Sequence, residues 1–285
     1  MKQEKMVSTI LLLIALTAFS SLLLITVFIF WEGLPVILRI GPGNFFLSGD
    51  WEPLDGHFGI LSMIIGSLLV TLGAMAIGVV FGLSLAIVLT QFCPSGLSII
   101  LKQTVELLAG IPSVVYGFMG VVTIVPLIRN YLGGPGLSVL AASIVLGIMV
   151  LPTVTSISID ALRAVPRSYW EGSIALGATQ WQTTRMLMLR AARSGILAAV
   201  ILGMGRAIGE TMAVIMVAGN TLEIPHGILS PVRTLTSNIA LEMGYASGEH
   251  RQALFATGVT LFVIIMILNS IALYVSGKRG KAGEP

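Results

Sequence analysis

Arg206 and Glu210 stand four residues apart within Ser194–Ala218, a segment that contains no other charged residue. In a helix that spacing puts both on one face. A guanidinium can donate two parallel hydrogen bonds to a dehydrated oxyanion, whereas an ionised carboxylate can only accept. Glu106 is a third ionisable side chain placed in an apolar stretch expected to lie within a span, near its start. Near a helix centre each such charge would add about 2.5–3.5 kcal/mol to membrane insertion. Two readings follow: a polar path lined by these groups, or an ion pair that locks helices together. Two carboxylates and one guanidinium sum to −1, so an anion path here requires a neutralised glutamate or positive charge from a partner chain.

The breaks around these residues belong to the same reading. Gly110 and Pro112 interrupt one apolar segment and Pro152 another. Proline removes a helix hydrogen bond and frees a carbonyl. A helix restarting after Pro112 would offer its amides and Ser113 to an anion, while a packing kink would use the same residues structurally. Gly203, Gly205 and Gly209, beside Arg206, suit close helix packing.

Other chemistries lack their parts. No G-x-x-x-x-G-K-[ST] phosphate loop is present, so the chain is not expected to hydrolyse ATP. His57, His226 and His250 are widely separated and read as surface residues, not a metal site. The single cysteine, Cys93, excludes a disulfide framework and a cysteine-based zinc site. No Ser-His or paired-Asp constellation suggests an intramembrane protease, so no catalytic residue and no metal site are expected.

The elements that must position Arg206 are membrane helices. Of 285 residues, 55% are apolar and 10% charged, and mean hydropathy is +0.97, which excludes an ordinary water-soluble globule. Basic residues are scattered and net charge is only +3, which argues against nucleic acid as a partner. A bilayer core of about 30 Å needs about 20 apolar residues per helix. Trimming the charge-free windows at turn signals gives six spans near 7–31, 60–91, 104–128, 139–158, 195–218 and 253–276. The first is too long for a signal-peptide core and is read as a retained helix. The window 60–91 holds no proline and no polar turn cluster, so it reads as one long tilted helix. With six spans and both termini in the cytoplasm, eleven Lys and Arg fall inside. Only Arg39, Arg129, Arg233 and Arg251 fall outside, in accord with the positive-inside rule.

The longest inner loop, 159–193, reads as helix, glycine bend, helix, with Pro166 at a helix start and Gly177 at the bend. On composition alone it suits an amphipathic segment lying on anionic lipid through its arginines. Its spacing adds a second reading. Glu171-Gly172-Ser173, then Gly177, then Leu187-Met188-Leu189-Arg190 resembles the signature loop of ABC importer permeases, Glu-Ala-Ala, three residues, Gly, nine residues, Ile, one residue, Leu-Pro. Gly172 and Ser173 replace the two alanines, Leu187 the isoleucine, and Arg190 the proline. A more specific resemblance lies in Glu106 to Phe118 (ELLAGIPSVVYGF), Gly205 to Val214 (GRAIGETMAV), and Trp51-Glu52-Pro53 followed by Phe58-Gly59-Ile60-Leu61. These resemble phosphate-specific (Pst) permeases, nearer the PstC-type chain than its PstA-type partner.

That resemblance implies an all-α, polytopic membrane protein with six transmembrane helices and the MetI-like ABC permease fold. Residues 1–59 would form an N-terminal helix and outer loop, 60–276 the MetI-like domain with coupling loop 159–193, and 277–285 a cytoplasmic tail. The implied function is that of a permease subunit of an ATP-driven phosphate importer in the bacterial inner membrane. The substrate pathway would be Arg206, Glu210, Glu106 and Ser113, and the ATPase contact Glu171, Gly172, Ser173, Gly177, Leu187 and Leu189. Implied partners are a PstA-type permease, a cytosolic ABC ATPase dimer carrying ATP and Mg, an external phosphate-binding protein and the lipid bilayer. No cofactor is expected on this chain. The residues leave open another oxyanion (molybdate, sulfate or a phosphonate), or a membrane enzyme acting on a lipid phosphate.

Overall fold

The computed structural model describes residues 2–280 and is almost wholly helical. In chain order the elements are α1 (Lys2–Ile40), α2 (Pro42–Leu47), a short hairpin of β1 (Trp51–Glu52) and β2 (His57–Phe58), and α3 (Leu61–Ile87) with a π-helical turn to Phe92. Then come α4 (Ser95–Ala109), α5 (Ser113–Met119), a π turn, α6 (Val125–Tyr131), α7 (Val139–Arg163), α8 (Arg167–Ala175) and α9 (Gln180–Thr183). After another π turn follow α10 (Leu189–Ala191), α11 (Arg193–Gly209), α12 (Met212–Val217), α13 (Leu235–Glu242) and α14 (Gly248–Gly280). Residues 281–285, the end of the expected tail, lie outside the described residues.

Among the described residues five helical stretches are long and apolar enough to cross a membrane: Val7–Ile40, Leu61–Phe92, Ser113–Tyr131, Val139–Arg163 and Gly248–Ile271. A sixth is present if Gln180–Ala191 and Arg193–Gly209, bent by 71°, count as one span. The single long helix expected over 60–91 is there, running from Leu61 to Phe92. Several expected boundaries move: the fourth span runs on to Arg163, the fifth breaks after Gly209 and the last begins at Gly248. The first helix runs on to Ile40, through Pro35. The third span, expected at 104–128, starts only at Ser113, because the chain breaks at Gly110–Pro112 and α4 is a separate helix.

The centre of the bundle is the α3–α7 pair, and small residues set its distance. A Cβ on Gly73 would sit 2.2 Å from Ser143 Oγ, and one on Gly147 would sit 2.8 Å from the Ile77 side chain. Lipid tails provide no hydrophobic drive between helices, so close approach and interhelical hydrogen bonds hold such pairs. Ser143 Oγ donates to Val70 O at 3.4 Å and Thr155 Oγ1 to Gly82 O at 3.2 Å. Val145, Val150 and Val154 of α7 form the core with Ala207 of α11 and Ala213, Val214 and Val217 of α12.

The two ends of the bundle differ. At one end the hairpin, α2 and α13 pack with α1 and α14 through Phe45, Trp51, Phe58, Met63, Leu235 and Leu254. At the other end Ala86, Leu89, Ile159, Leu162, Met188 and Ala192 seat the segment 167–191 on the ends of α3 and α7. Gln180 Nε2 adds a hydrogen bond to Gln91 O there.

Candidate functional site

The two broken helices meet. Pro112 has no N–H, so the carbonyl four residues back, Leu108 O, loses its usual helical donor. The phenol of Tyr116 donates to that oxygen at 2.7 Å and bridges the break. Gly110 closes α4, and Pro112, extended at φ −58° and ψ 140°, opens α5 with Ser113 in its first turn. The second break follows Gly209, where Glu210 leaves the helix at φ −70° and ψ 132° before α12 begins. Gly117 of α5 has no Cβ to keep α12 away: one built there would stand 3.0 Å from Ala213 Cα.

Arg206 lies in the last turn of α11, just ahead of that break, and is half-buried. Its Nη1 donates to Thr153 Oγ1 of α7 at 3.2 Å. The guanidinium therefore links α11 to α7 just ahead of the break that leads into α12. Thr153 carries no sequence signal beyond its place after Pro152.

Three expectations about this region are corrected. Arg206 and Glu210 do not share a helix face, because α11 ends between them, and no ion pair joins them. The Glu210 carboxylate instead accepts the Ala213 amide at 3.3 Å. It acts as a cap on a short helix whose first N–H groups have no partners within the helix. Glu106 is not inside a span-length helix. It sits on α4, half-exposed and 3.7 Å from Lys102, which also bonds Asp160 at 3.2 Å. Glu106 thus has a cation of its own in Lys102. Pro152, buried, does not interrupt its span: α7 runs through it from Val139 to Arg163.

The glycine bend has the form the loop spacing implied. Ser173, Ile174 and Gly177 make a Schellman closure: Ala178 N donates to Ser173 O at 3.2 Å and Gly177 N to Ile174 O at 2.9 Å, with Gly177 at φ +86°. Only glycine takes that backbone region without steric cost. Thr179 and Gln182 form a reciprocal capping box that starts α9, and the Ser173 and Thr183 hydroxyls meet at 2.8 Å to pin the two helices together. Glu171, Gly172 and Gly177 are exposed, and so is Leu176, at 91%. Leu187 is half-buried, and Leu189 packs partly on the bundle's own core. The outward surface is therefore carried mainly by α8 and the bend.

Sequence reasoning missed a polar cluster at the hairpin end. Glu242, 8% exposed at its side chain, accepts from Arg233 Nη1 at 2.6 Å and Trp51 Nε1 at 2.8 Å. His250 Nε2 lies 2.8 Å from Glu242 Oε2, the oxygen that also accepts from Trp51, while Arg233 holds Oε1. Arg233 also donates to Asn220 O and Asn238 Oδ1, each at 3.1 Å. His250, read from sequence as a surface residue, is instead 16% exposed at its side chain. Partial desolvation and then the Glu242 carboxylate raise the Tyr245 phenol above its ordinary value, and Arg233 pulls against them. Among the described residues no group of His, Cys, Asp and Glu is arranged to hold a metal ion.

Broken apolar helices around a half-buried guanidinium, with a structured loop presented at one end, define a multi-pass membrane permease. The family described as "Binding-protein-dependent transport system inner membrane component" matches residues 5–280, and the chain belongs to it. The chain is 41% identical over 273 residues to "Probable ABC transporter permease protein YqgH" of Bacillus subtilis (strain 168), covering 93% of this chain and 88% of that protein. It is 33% identical over 296 residues to "Phosphate transport system permease protein PstC" of Xylella fastidiosa (strain 9a5c), covering 95% and 91%. A protein of the same name from Mesorhizobium japonicum is 35% identical over 253 residues, covering 81% and 77%. The Pst-type resemblance of the sequence motifs is thus matched over most of the chain. In solved structures, a chain of the inward-facing MetNI methionine ABC transporter superposes with a TM-score of 0.58 over 83% of this chain and 100% of that one. At 20% identity that likeness is one of fold, the MetI-like fold expected from the loop.

Proposed function

We propose that this chain is a permease subunit of an ATP-driven importer of inorganic phosphate. The observation that carries the reading is the 33% identity to a PstC protein across 95% of the chain. The site suits the cargo. Arg206 can turn a planar two-donor fork to an oxyanion, and phosphate near neutral pH keeps one or two P–OH donors that a carboxylate such as Glu210 can accept from. Ser113, at the start of α5, would add a hydroxyl on the same path.

In this reading a PstA-type permease completes the path, a cytosolic ABC ATPase dimer holds ATP and Mg, and an external binding protein delivers phosphate. The arginine-rich end with α8 and α9 faces the cytoplasm, both termini lie there, and the hairpin end faces outward, as the positive-inside rule favours. ATPase closure would push on α8 and the Gly177 bend, which rest on the ends of α3 and α7, and so reach the helices that hold Arg206. The test is uptake of labelled phosphate by cells lacking their other phosphate importers, with and without this chain. Uptake that is unchanged by the chain, or that sulfate or molybdate competes away, would overturn it.

A further inference from the structure

A cavity of about 810 Å³ opens where α3 and α7 end and α8 begins, lined by the π turn after α3, the start of α4, the end of α7, and α8. Arg163, Arg167 and Trp170 line it, together with Ile99, Val165 and Glu171. Among the described residues neither arginine side chain donates a hydrogen bond or joins an ion pair, in contrast to those of Lys102, Arg129, Arg206 and Arg233. Glu171 offsets one of the two charges, so the wall keeps a positive excess beside apolar surface. The neighbouring face of α4 is apolar and exposed: Leu97 is 50%, Ile99 56% and Ile100 60% exposed. The occupant implied by such a wall is itself amphipathic, an anion joined to a hydrocarbon chain. A tryptophan at the same level suits the membrane–water boundary, and basic pockets between spans at that boundary hold lipid phosphates.

We propose that this cavity binds the phosphodiester headgroup of an anionic phospholipid, with Arg163 and Arg167 on the phosphate and an acyl chain along α4. The bound lipid would brace α8 against the ends of α3 and α7 from the membrane side, leaving the exposed Leu176 and Gly177 to face the cytosol. The inference takes from the proposed function only the leaflet concerned. Its test measures lipid binding and needs no transport, so either reading can fail alone.

The experiment uses the full-length chain in detergent micelles and phosphatidylglycerol brominated on an acyl chain, with the difference in tryptophan quenching between the wild type and Trp170→Phe isolating Trp170. Saturable quenching is expected with brominated phosphatidylglycerol and much weaker quenching with brominated phosphatidylcholine. Arg163→Gln with Arg167→Gln should weaken the phosphatidylglycerol titration about thirtyfold, the weight of two basic side chains near an anionic surface. Arg185→Gln with Arg190→Gln removes equal charge from the same loop outside the cavity and should leave the titration unchanged. Equal quenching by the two lipids overturns the site even if the double-glutamine variant fails to fold. An equal loss in the Arg185 and Arg190 variant reduces it to general charge attraction and overturns it as well. Displacement of the lipid by millimolar inorganic phosphate would assign the cavity to the free anion and overturn the lipid as its occupant.

Discussion

The indole N–H of Trp51 donates to Glu242 Oε2 at 2.8 Å across 191 residues of sequence, tying the hairpin to the end of α13. The other oxygen of the same carboxylate takes Arg233 at 2.6 Å, and α14 contributes His250. A single buried carboxylate thus joins the hairpin to Arg233, ahead of α13, and to α14. Removing one member of a buried ion pair leaves the other charge uncompensated, at a cost of about 3–5 kcal/mol.

Glu242→Ala should therefore lower the thermal unfolding midpoint of the purified chain strongly, and Glu242→Gln less so, because an amide oxygen still accepts from Trp51. Arg233→Met should cost a comparable amount alone. Combined with Glu242→Met it should cost clearly less than the sum, since the pair disappears together. Strict additivity in that cycle would show that the two side chains do not stabilise the fold as a pair.

The second expectation concerns the bend. Gly177→Ala places a Cβ at φ +86°, costing about 1–2 kcal/mol locally, and should weaken but keep substrate-stimulated ATP hydrolysis in the reconstituted transporter. Gly177→Pro also removes the amide that closes on Ile174 O and cannot adopt that φ, so it should abolish stimulation while membrane insertion stays normal. Stimulation at the wild-type level in the proline variant would remove the bend from the coupling route.

Orientation can be read chemically. In a Cys93→Ser background, Ser247→Cys, beside the Glu242 cluster at the hairpin end, should react with an impermeant thiol reagent added to whole cells. Ser168→Cys, at the start of α8, should react only after the membrane is opened. The reverse pattern would invert the proposed topology.

Much of this architecture was legible from residues. Long uncharged windows gave the spans because the bilayer demands runs of apolar residues. Gly177 gave the bend because few other residues take a positive φ. Gly110 and Pro112 gave a true break, while Pro152 did not, and the sequence alone does not separate the two: Pro152 is buried within the packed α3–α7 core, whereas Pro112 is exposed. The Arg206–Glu210 pairing failed for a related reason. Spacing of four implies one face only if the helix continues, and the short α12 draws the Glu210 carboxylate to its own amides. The Trp51–Glu242–Arg233 cluster carried no local signal, since its members meet only through tertiary packing.

The geometry at Arg206 sharpens its own test. Because Glu210 caps α12 and does not pair with Arg206, neutralising both should not rescue transport. Arg206→Gln with Glu210→Gln is expected to be as inactive as Arg206→Gln. If the guanidinium holds phosphate in transit, Arg206→Lys should fail nearly as badly, because an ammonium keeps the charge but loses the planar two-donor fork. Thr153→Val removes only the hydroxyl that accepts from Arg206 Nη1 at 3.2 Å. One such hydrogen bond to a charged group is worth about 1.5–3 kcal/mol, so a partial loss of uptake is expected there, with protein levels unchanged. Glu210→Gln alone should keep the cap, since the amide oxygen still accepts from Ala213, and any fall in uptake would then report on phosphate P–OH recognition. The measurement is labelled phosphate uptake at matched membrane levels of each variant. A fully active Arg206→Lys chain would make Arg206 a structural contact of Thr153 and move the selective site elsewhere along α5 and α12.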